Sequence, residues 1–422
     1  MLSLLILADA HLGRHPSRIP HDKTSLSIHA VWDATIEYAI THKVDAVAIV
    51  GDLIDANNKY FEAYGTVRRG LNKLSQAKIT VFAVAGNHDH DVLPHLADDI
   101  GLHLLGREGT WETVPLKKGD QVVAWFTGWS FPSEHYARSP LENFCAPQKH
   151  EPIIGMVHGD LNVPRSQYAP LDLATLQSHP LAIWLLGHIH KPSCIASSGA
   201  PVLYPGSLQP LDPGEPGRHG PWTLRIDASG SVTTEHVPLA SVRYMPLTID
   251  VTEATSLEAV QSKIANQVNE ETNRLHREYS RLQHVSYRLT LVGQSPLHRE
   301  LATGSMQDVQ DLESSRGELH ATVDKIITAT TPSRNLKNIA RFRDPPGTIA
   351  KWIQELQQGD KEDYLLKELM QGVLNGLSEM NRKNKYRCLD AFVLDKDAIR
   401  AQLTKQGHLL VDTLMAQKEA DS

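Results

Sequence analysis

LSLLILADAHLG (2–13) is an apolar run that stops at a carboxylate and an imidazole, Asp9 and His11. The run is about seven residues long with no basic segment before it, too short to span a bilayer and unlike a secretory leader. It predicts a buried strand. Two positions apart in an extended segment, Asp9 and His11 point to one side and can approach one site together.

The same pattern recurs along the first half of the chain. VDAVAIVGD (44–52) ends in Gly51-Asp52, and ITVFAVAGNHD (79–89) in Gly86-Asn87-His88-Asp89. PIIGMVHGD (152–160) carries His158, and LAIWLLGHIH (181–190) ends in Gly187-His188-Ile189-His190, a second pair two residues apart. Between the first two runs Ile28, Val31, Trp32, Thr35, Ile36, Ala39 and Ile40 recur at helical spacing; before the third, Tyr60, Tyr64, Val67, Leu71 and Leu74 do so. Strands alternating with crossover helices predict an α/β fold, in which ligands gather beyond the carboxyl ends of the strands. Glycine precedes Asp52, Asn87 and His188, as expected where the chain turns sharply close to a bound ion.

Further along, QVVAWFTGW (121–129), APVLYPG (200–206), PWTLRID (221–227) and SVTTEHV (231–237) are separated by Gly and Pro turns and predict a second, more antiparallel sheet. The first domain is expected to span 1–240. A long helix from Leu257, a β-like run at 285–293, a further helix and the strand-like 320–330 predict a small α+β domain over 246–331. TPSRNLKNIARFRDPPG (331–347) has the composition of a linker, and 349–414 is helical in pattern, so 332–422 is expected to be a linker and helical C-terminal region.

Bulk composition narrows the function classes. A formal charge of -7 leaves no global basic field, so nucleic-acid binding would rest on local Arg and Lys. Three scattered cysteines exclude a disulfide framework and a CxxC zinc ribbon, and fit a reducing cytoplasm. No apolar run reaches the roughly 18 residues of a bilayer span. No GxxxxGK[ST] loop is present, so the chain brings no nucleotide-binding loop of that type.

Taken in order, DxH, GDxxD, GNHD, GxVHGD and GHIH resemble the calcineurin-like metallophosphoesterase superfamily. The resemblance implies a four-layer α/β/β/α sandwich with a smaller α+β capping domain and a helical C-terminal region. It also implies one metal held by Asp9, His11, Asp52 and His190 and a second held by Asp52, Asn87, His158 and His188, with Asp52 bridging. Mixed carboxylate and imidazole ligands suit manganese, iron or zinc, and the family points to manganese. Two divalent ions against Asp9 and Asp52 leave a cationic site that accepts a phosphodiester and activates water. The family places His88 on the leaving oxygen or the transition state, with Asp89 orienting its ring.

ADAHLGR (8–14), YAPLDLATL (168–176) and PVLYPGSLQPLDPGEPGRHG (201–220) are similar to the SbcD-type DNA repair exonuclease branch, and SYRLTLVGQSPLHREL (286–301) is similar to its capping domain. This branch implies DNA as substrate and an SbcC-type coiled-coil ATPase as partner for the helical 349–414 region, through Ile349, Trp352, Ile353 and Leu356. It also implies a homodimer through a helix near 58–76. Arg14 and Arg165 are candidate phosphate contacts, and ordinary solvated arginines would look the same. Asp55 reads equally as a loop-bonding residue. His15, His21, His90 and His150 match no ligand position, and Arg274, Arg277 and Arg281 interleave with Glu270, Glu271 and Glu278 as on a solvated helix face. A phosphodiesterase or phosphatase acting on small molecules, and a non-catalytic scaffold for an ATPase, are the competing readings.

Overall fold

The apolar opening forms strand β1 (Leu2–Leu7), and its neighbours explain its lack of alternation. It pairs in parallel with β2 (Ala46–Val50) and antiparallel with β11 (Trp222–Ile226), and both faces are covered. Leu5 and Leu7 pack with Trp32 and Ile36 of helix α1 (Ile28–Thr41), while Leu4 and Ile6 pack with Phe126, Ile154 and Leu185 of a second sheet. A strand buried on both faces has no polar side to show.

A computed structural model of the chain describes residues 1–19, 24–55, 60–100, 102–196, 199–303, 312–358, 364–382 and 396–420. His21, Cys388 and the start of the helix expected from 58 lie outside them. The first sheet runs β12 (Val232–His236), β11, β1, β2, β3 (Thr80–Val84), β4 (His103–Leu104). The helices α1, α2 (Tyr60–Gln76) and α3 (Leu93–Ile100) contribute to the apolar cluster on its outer face. Helix α1 begins where Ser27 caps it, its hydroxyl accepting from the Ala30 N–H at 3.3 Å.

The second sheet runs β5 (Trp111–Lys118), β6 (Gln121–Trp129), β7 (Ile153–His158), β8 (Ile183–Gly187), β10 (Val202–Tyr204), β9 (Ser193–Ile195). Its outer face carries Trp129, Val157, Trp184 and Leu186, covered by helix α4 (Leu173–Ser178) and the turn around Leu141 and Phe144. The result is the four-layer α/β/β/α sandwich. The expectation of a second sheet more antiparallel than the first is corrected: β6, β7, β8 and β10 are mutually parallel, with antiparallel pairs only at the edges. The two alternating runs assigned to it instead extend the first sheet, β11 antiparallel to β1 and β12 antiparallel to β11.

Two compact units result. One comprises Met1–Leu247, Gln267–Arg288 and Gln310–Lys325, the other Thr248–Asn266, Leu289–Val309 and Ile326–Ser422. A four-stranded sheet of order β13 (Val242–Asp250), β14 (His284–Ser295), β16 (Leu319–Pro332), β15 (Glu313–Arg316) accompanies helix α5 (Leu257–Glu278), and the division falls within these longer elements. Near the start of α6 (His298–Ala302), the imidazole Nδ1 of His298 lies 3.0 Å from the Thr330 hydroxyl.

The segment with linker composition holds a short helix, α7 (Leu336–Ile339), and opens α8 (Pro345–Gln358) at a Pro-Pro pair, suited to a first turn whose N–H groups need no partner. The second unit then adds α9 (Tyr364–Arg382) and α10 (Lys396–Ala420). Ile353 of α8 sits under Gly407 of α10, beside Val411. Among the described residues no helix is long and apolar enough to cross a membrane.

Phe82 of β3 and Phe126 of β6 stack at 4.1 Å between the two sheets, both fully buried. Phe126→Ala should therefore destabilise the protein by about 3–5 kcal/mol, read as a lower urea midpoint with unchanged slope. A loss under about 1 kcal/mol would mean that the sheets do not depend on this contact.

Candidate metal centre

The five strand ends converge. Immediately after β1, β2 and β8 the backbone turns through the left-handed region at Asp9 (φ 48°), His11 (φ 45°), Asp52 (φ 50°) and His188 (φ 97°). Non-glycine residues seldom adopt this region, and such strain collects where a side chain must be aimed. Asp9 accepts from the His188 N–H at 3.0 Å, Asp52 from the His88 N–H at 2.9 Å, and the His11 N–H donates to the Asp52 carbonyl at 2.9 Å. The loops thus hold one another.

The glycines leave room for these side chains. A Cβ at Gly86 would lie 2.1 Å from Asp52 Oδ1, and one at Gly187 would lie 1.9 Å from the Val50 carbonyl oxygen and 2.4 Å from His158 Nδ1. Sequence reasoning placed glycines here for approach to an ion; in the structure they leave space for the side chains of Asp52 and His158.

Asp9, His11, Asp52 and His158 are buried, and Asn87 nearly so. His158 Nδ1 donates to the Val50 carbonyl at 3.0 Å, so once the ring is neutral its Nε2 presents a lone pair. That lone pair faces Asn87 Oδ1 at 3.2 Å and Asp52 Oδ2 at 3.3 Å, both acceptors. His190 Nδ1 donates to Glu215 Oε1 at 2.7 Å, which leaves its Nε2 facing His11 Nε2 at 3.1 Å. His11 turns its Nδ1 toward Asp55 at 3.4 Å. With the rings deprotonated the converging lone pairs are what a cation would satisfy, and the donor set is the carboxylate and imidazole mixture of divalent transition ions.

Among the described residues, three groups have ligand atoms within 4.8 Å of one another: Asp9, His11 and His190; His11, Asp52 and His88; and Asp9, Asp52 and His158. Asp52 is shared by two of them. His188 joins through Asn87, its Nδ1 3.3 Å from Asn87 Oδ1, and its Nε2 lies 3.4 Å from Asp160. His88 is half-buried, its ring 5.0 Å edge-on from that of His11.

The Asp89 carboxylate, expected to orient the His88 ring, is bonded to backbone N–H groups. It accepts from the N–H groups of Gly86 at 2.8 Å and Leu53 at 2.7 Å, tying the third strand's loop to the second's. Arg14 is partly exposed, 3.5 Å from Asp55, and Arg165 lies exposed on its loop in the left-handed region. Arg274 is paired with Glu271 and Glu278, the arrangement of a solvated helix face. His90 bonds the Asn87 carbonyl at 3.1 Å. Two carboxylates escaped sequence reasoning as site residues, Asp160 and Glu215, although each stood inside a quoted segment, VHGD and DPGEPG.

Residues 2–192 match the calcineurin-like phosphoesterase family. The N-terminal domain is similar to the calcineurin-like phosphoesterases. Residues 244–331 match a second model, the middle domain of metallophosphoesterase YhaO. The chain is 27% identical over 278 residues to a protein of Bacillus subtilis called uncharacterized metallophosphoesterase YhaO, covering 61% of this chain and 65% of that one. It is 26% identical over 256 residues to the DNA double-strand break repair protein Mre11 of Aeropyrum pernix, covering 54% and 59%. The matches thus span less than two thirds of these relatives. A solved dimetal phosphatase from Danio rerio is a looser match, 13% identical at TM-score 0.35, covering 55% of this chain and 98% of its own.

Charge follows from packing in the candidate site. Burial works against ionisation of Asp52, yet His158, His11 and His88 hold it well below the usual carboxylate range. Burial likewise disfavours a charged His158, but Asp52 and Asp9 outweigh it and raise its pKa to about 9. Burial lowers His188 to about 4. A cation held by His158 would require its neutral imidazole, so the ring would have to release its proton on binding. Manganese affinity should therefore rise as pH goes from 6 toward 9, with proton release in titrations run in buffers of different ionisation heat. A pH-independent affinity without proton release would contradict this.

Proposed function

We propose that the chain is a two-metal, manganese-dependent DNA exonuclease, the nuclease half of an ATP-driven repair complex. The observation that carries the reading is the convergence of seven candidate ligands, Asp9, His11, Asp52, Asn87, His158, His188 and His190, with His88 half-buried beside them. The partial likeness to Mre11 supports DNA as the substrate over other phosphoesters.

Asp9, His11, Asp52 and His190 would hold one ion, and Asp52, Asn87, His158 and His188 the other. Bound there, the pair supplies Lewis-acid polarisation of the phosphoryl group and an activated water. Without positive charge the cluster of Asp9, Asp52, Asp55 and Asp160 would repel a phosphodiester, so substrate binding depends on the loaded site. His88 is kept below its ordinary pKa by burial, which makes it a neutral N–H donor at pH 7 that steadies an oxygen of the transition state. Asp89 positions the loop that carries Asn87 and His88. Arg14 and Arg165 would receive flanking phosphates. An SbcC-type ATPase, a homodimer and a cytoplasmic location belong to the same reading.

The test is manganese-dependent digestion of end-labelled single- and double-stranded DNA, beside a small chromogenic phosphodiester, with and without an SbcC-type ATPase. Wild type should degrade DNA, and His88→Ala should lose about 100-fold or more in turnover while still binding manganese. Cleavage of the small ester alone, even with the ATPase present, would replace the nuclease reading with a small-molecule phosphodiesterase. Activity on neither, with metal bound, would favour the scaffold.

A further inference from the structure

Behind His190 lies a carboxylate that the reaction scheme leaves without a task. Glu215 sits in DPGEPG, 25 residues along the chain from His190, and its side chain is only 12% exposed. Its Oε1 accepts from His190 Nδ1 at 2.7 Å. Its Oε2 accepts from the Ser207 hydroxyl at 2.8 Å and the Leu211 N–H at 3.0 Å, so both oxygens are committed. Ser207 is fully buried, and its backbone N–H donates to the His190 carbonyl at 2.9 Å. The Ser207 hydroxyl also lies 2.9 Å from His219 Nδ1. One turn, YPGS (204–207), therefore grips the backbone of His190 while helping to hold the carboxylate that grips its ring.

The two sides of the centre differ in what stands behind the imidazoles. His158 is backed by a neutral carbonyl, that of Val50, at 3.0 Å. His188 has Asp160 at 3.4 Å, a looser contact. His190 alone among these three has a charged partner at a short distance. A carboxylate behind a metal-binding imidazole fixes which nitrogen carries the proton, aims the other, and makes it the stronger donor.

We propose that Glu215 is a positioning residue for His190 that sets the metal affinity of one half of the centre, the half made with Asp9 and His11. The inference rests on the two-metal reading of the site and not on the substrate. In Glu215→Gln the amide oxygen can still accept from His190, but its NH2 then meets two donors, the Ser207 hydroxyl and the Leu211 N–H. Turning the amide over restores that side and breaks the other.

The experiment is titration of the metal-stripped full chain with manganese alone, by calorimetry and by the electron paramagnetic resonance signal of free ion. Thermal unfolding in EDTA serves as the check on folding. Wild type should bind two ions per chain. E215Q should weaken one step by about 10- to 100-fold and leave the other unchanged. S207A, which removes one support of Oε2, should weaken the same step by less. If E215Q does not fold, E215D carries the expectation of E215Q, since its shorter side chain withdraws the carboxylate from His190. Two unaltered steps in a folded E215 variant would overturn the proposal, as would an equal loss in both, the mark of general loosening. Absence of binding by wild type would instead bring down the two-metal reading and this inference with it.

Discussion

Two buried carboxylates, Asp9 and Asp52, face imidazole nitrogens whose neighbours have already taken up their other protons, and the architecture around them serves to hold that arrangement. Left to itself it is unfavourable. Four non-glycine residues occupy left-handed backbone, each at a cost of order 1–3 kcal/mol, and two carboxylates are buried among imidazoles. The compensation lies in the two stacked sheets and their helix layers, where Leu4, Ile6, Phe82, Phe126, Ile154 and Leu185 are wholly buried. The core is the means by which a strained cluster is kept in place at the strand ends.

The fold and the site were legible in the sequence to different depths. A run such as LSLLILA announces a strand buried on both faces, and a ligand at its carboxyl end announces where a site will be, because both follow from local chemistry. Asp9, His11, Asp52, Asn87, His158, His188 and His190 do come together. What alternation cannot encode is the partner of a strand. PWTLRID and SVTTEHV look alike whether they extend one sheet or the other, and here they return to β1 rather than join the sheet that precedes them in the chain. Pairing between distant segments is decided by the closure of the whole fold.

The same limit applies to the groups behind the ligands. Glu215 lies in a proline- and glycine-rich loop that signals only a turn, and its contact with His190 exists because YPGS and DPGEPG fold back together. Asp160 follows His158 by two residues, yet it sits beside His188. Asp89, next to His88 in sequence, turns its carboxylate to the backbone of Gly86 and Leu53. Adjacent residues diverge and distant ones meet, and only the folded chain determines which carboxylate orients which ring.

Anomalous diffraction at the manganese edge, from crystals of the full chain grown with manganese, addresses the central claim most directly. Two peaks should appear, both in contact with the Asp52 carboxylate, one flanked by Asp9, His11 and His190 and the other by Asn87, His158 and His188. A single peak, or two that share no carboxylate, would contradict the account.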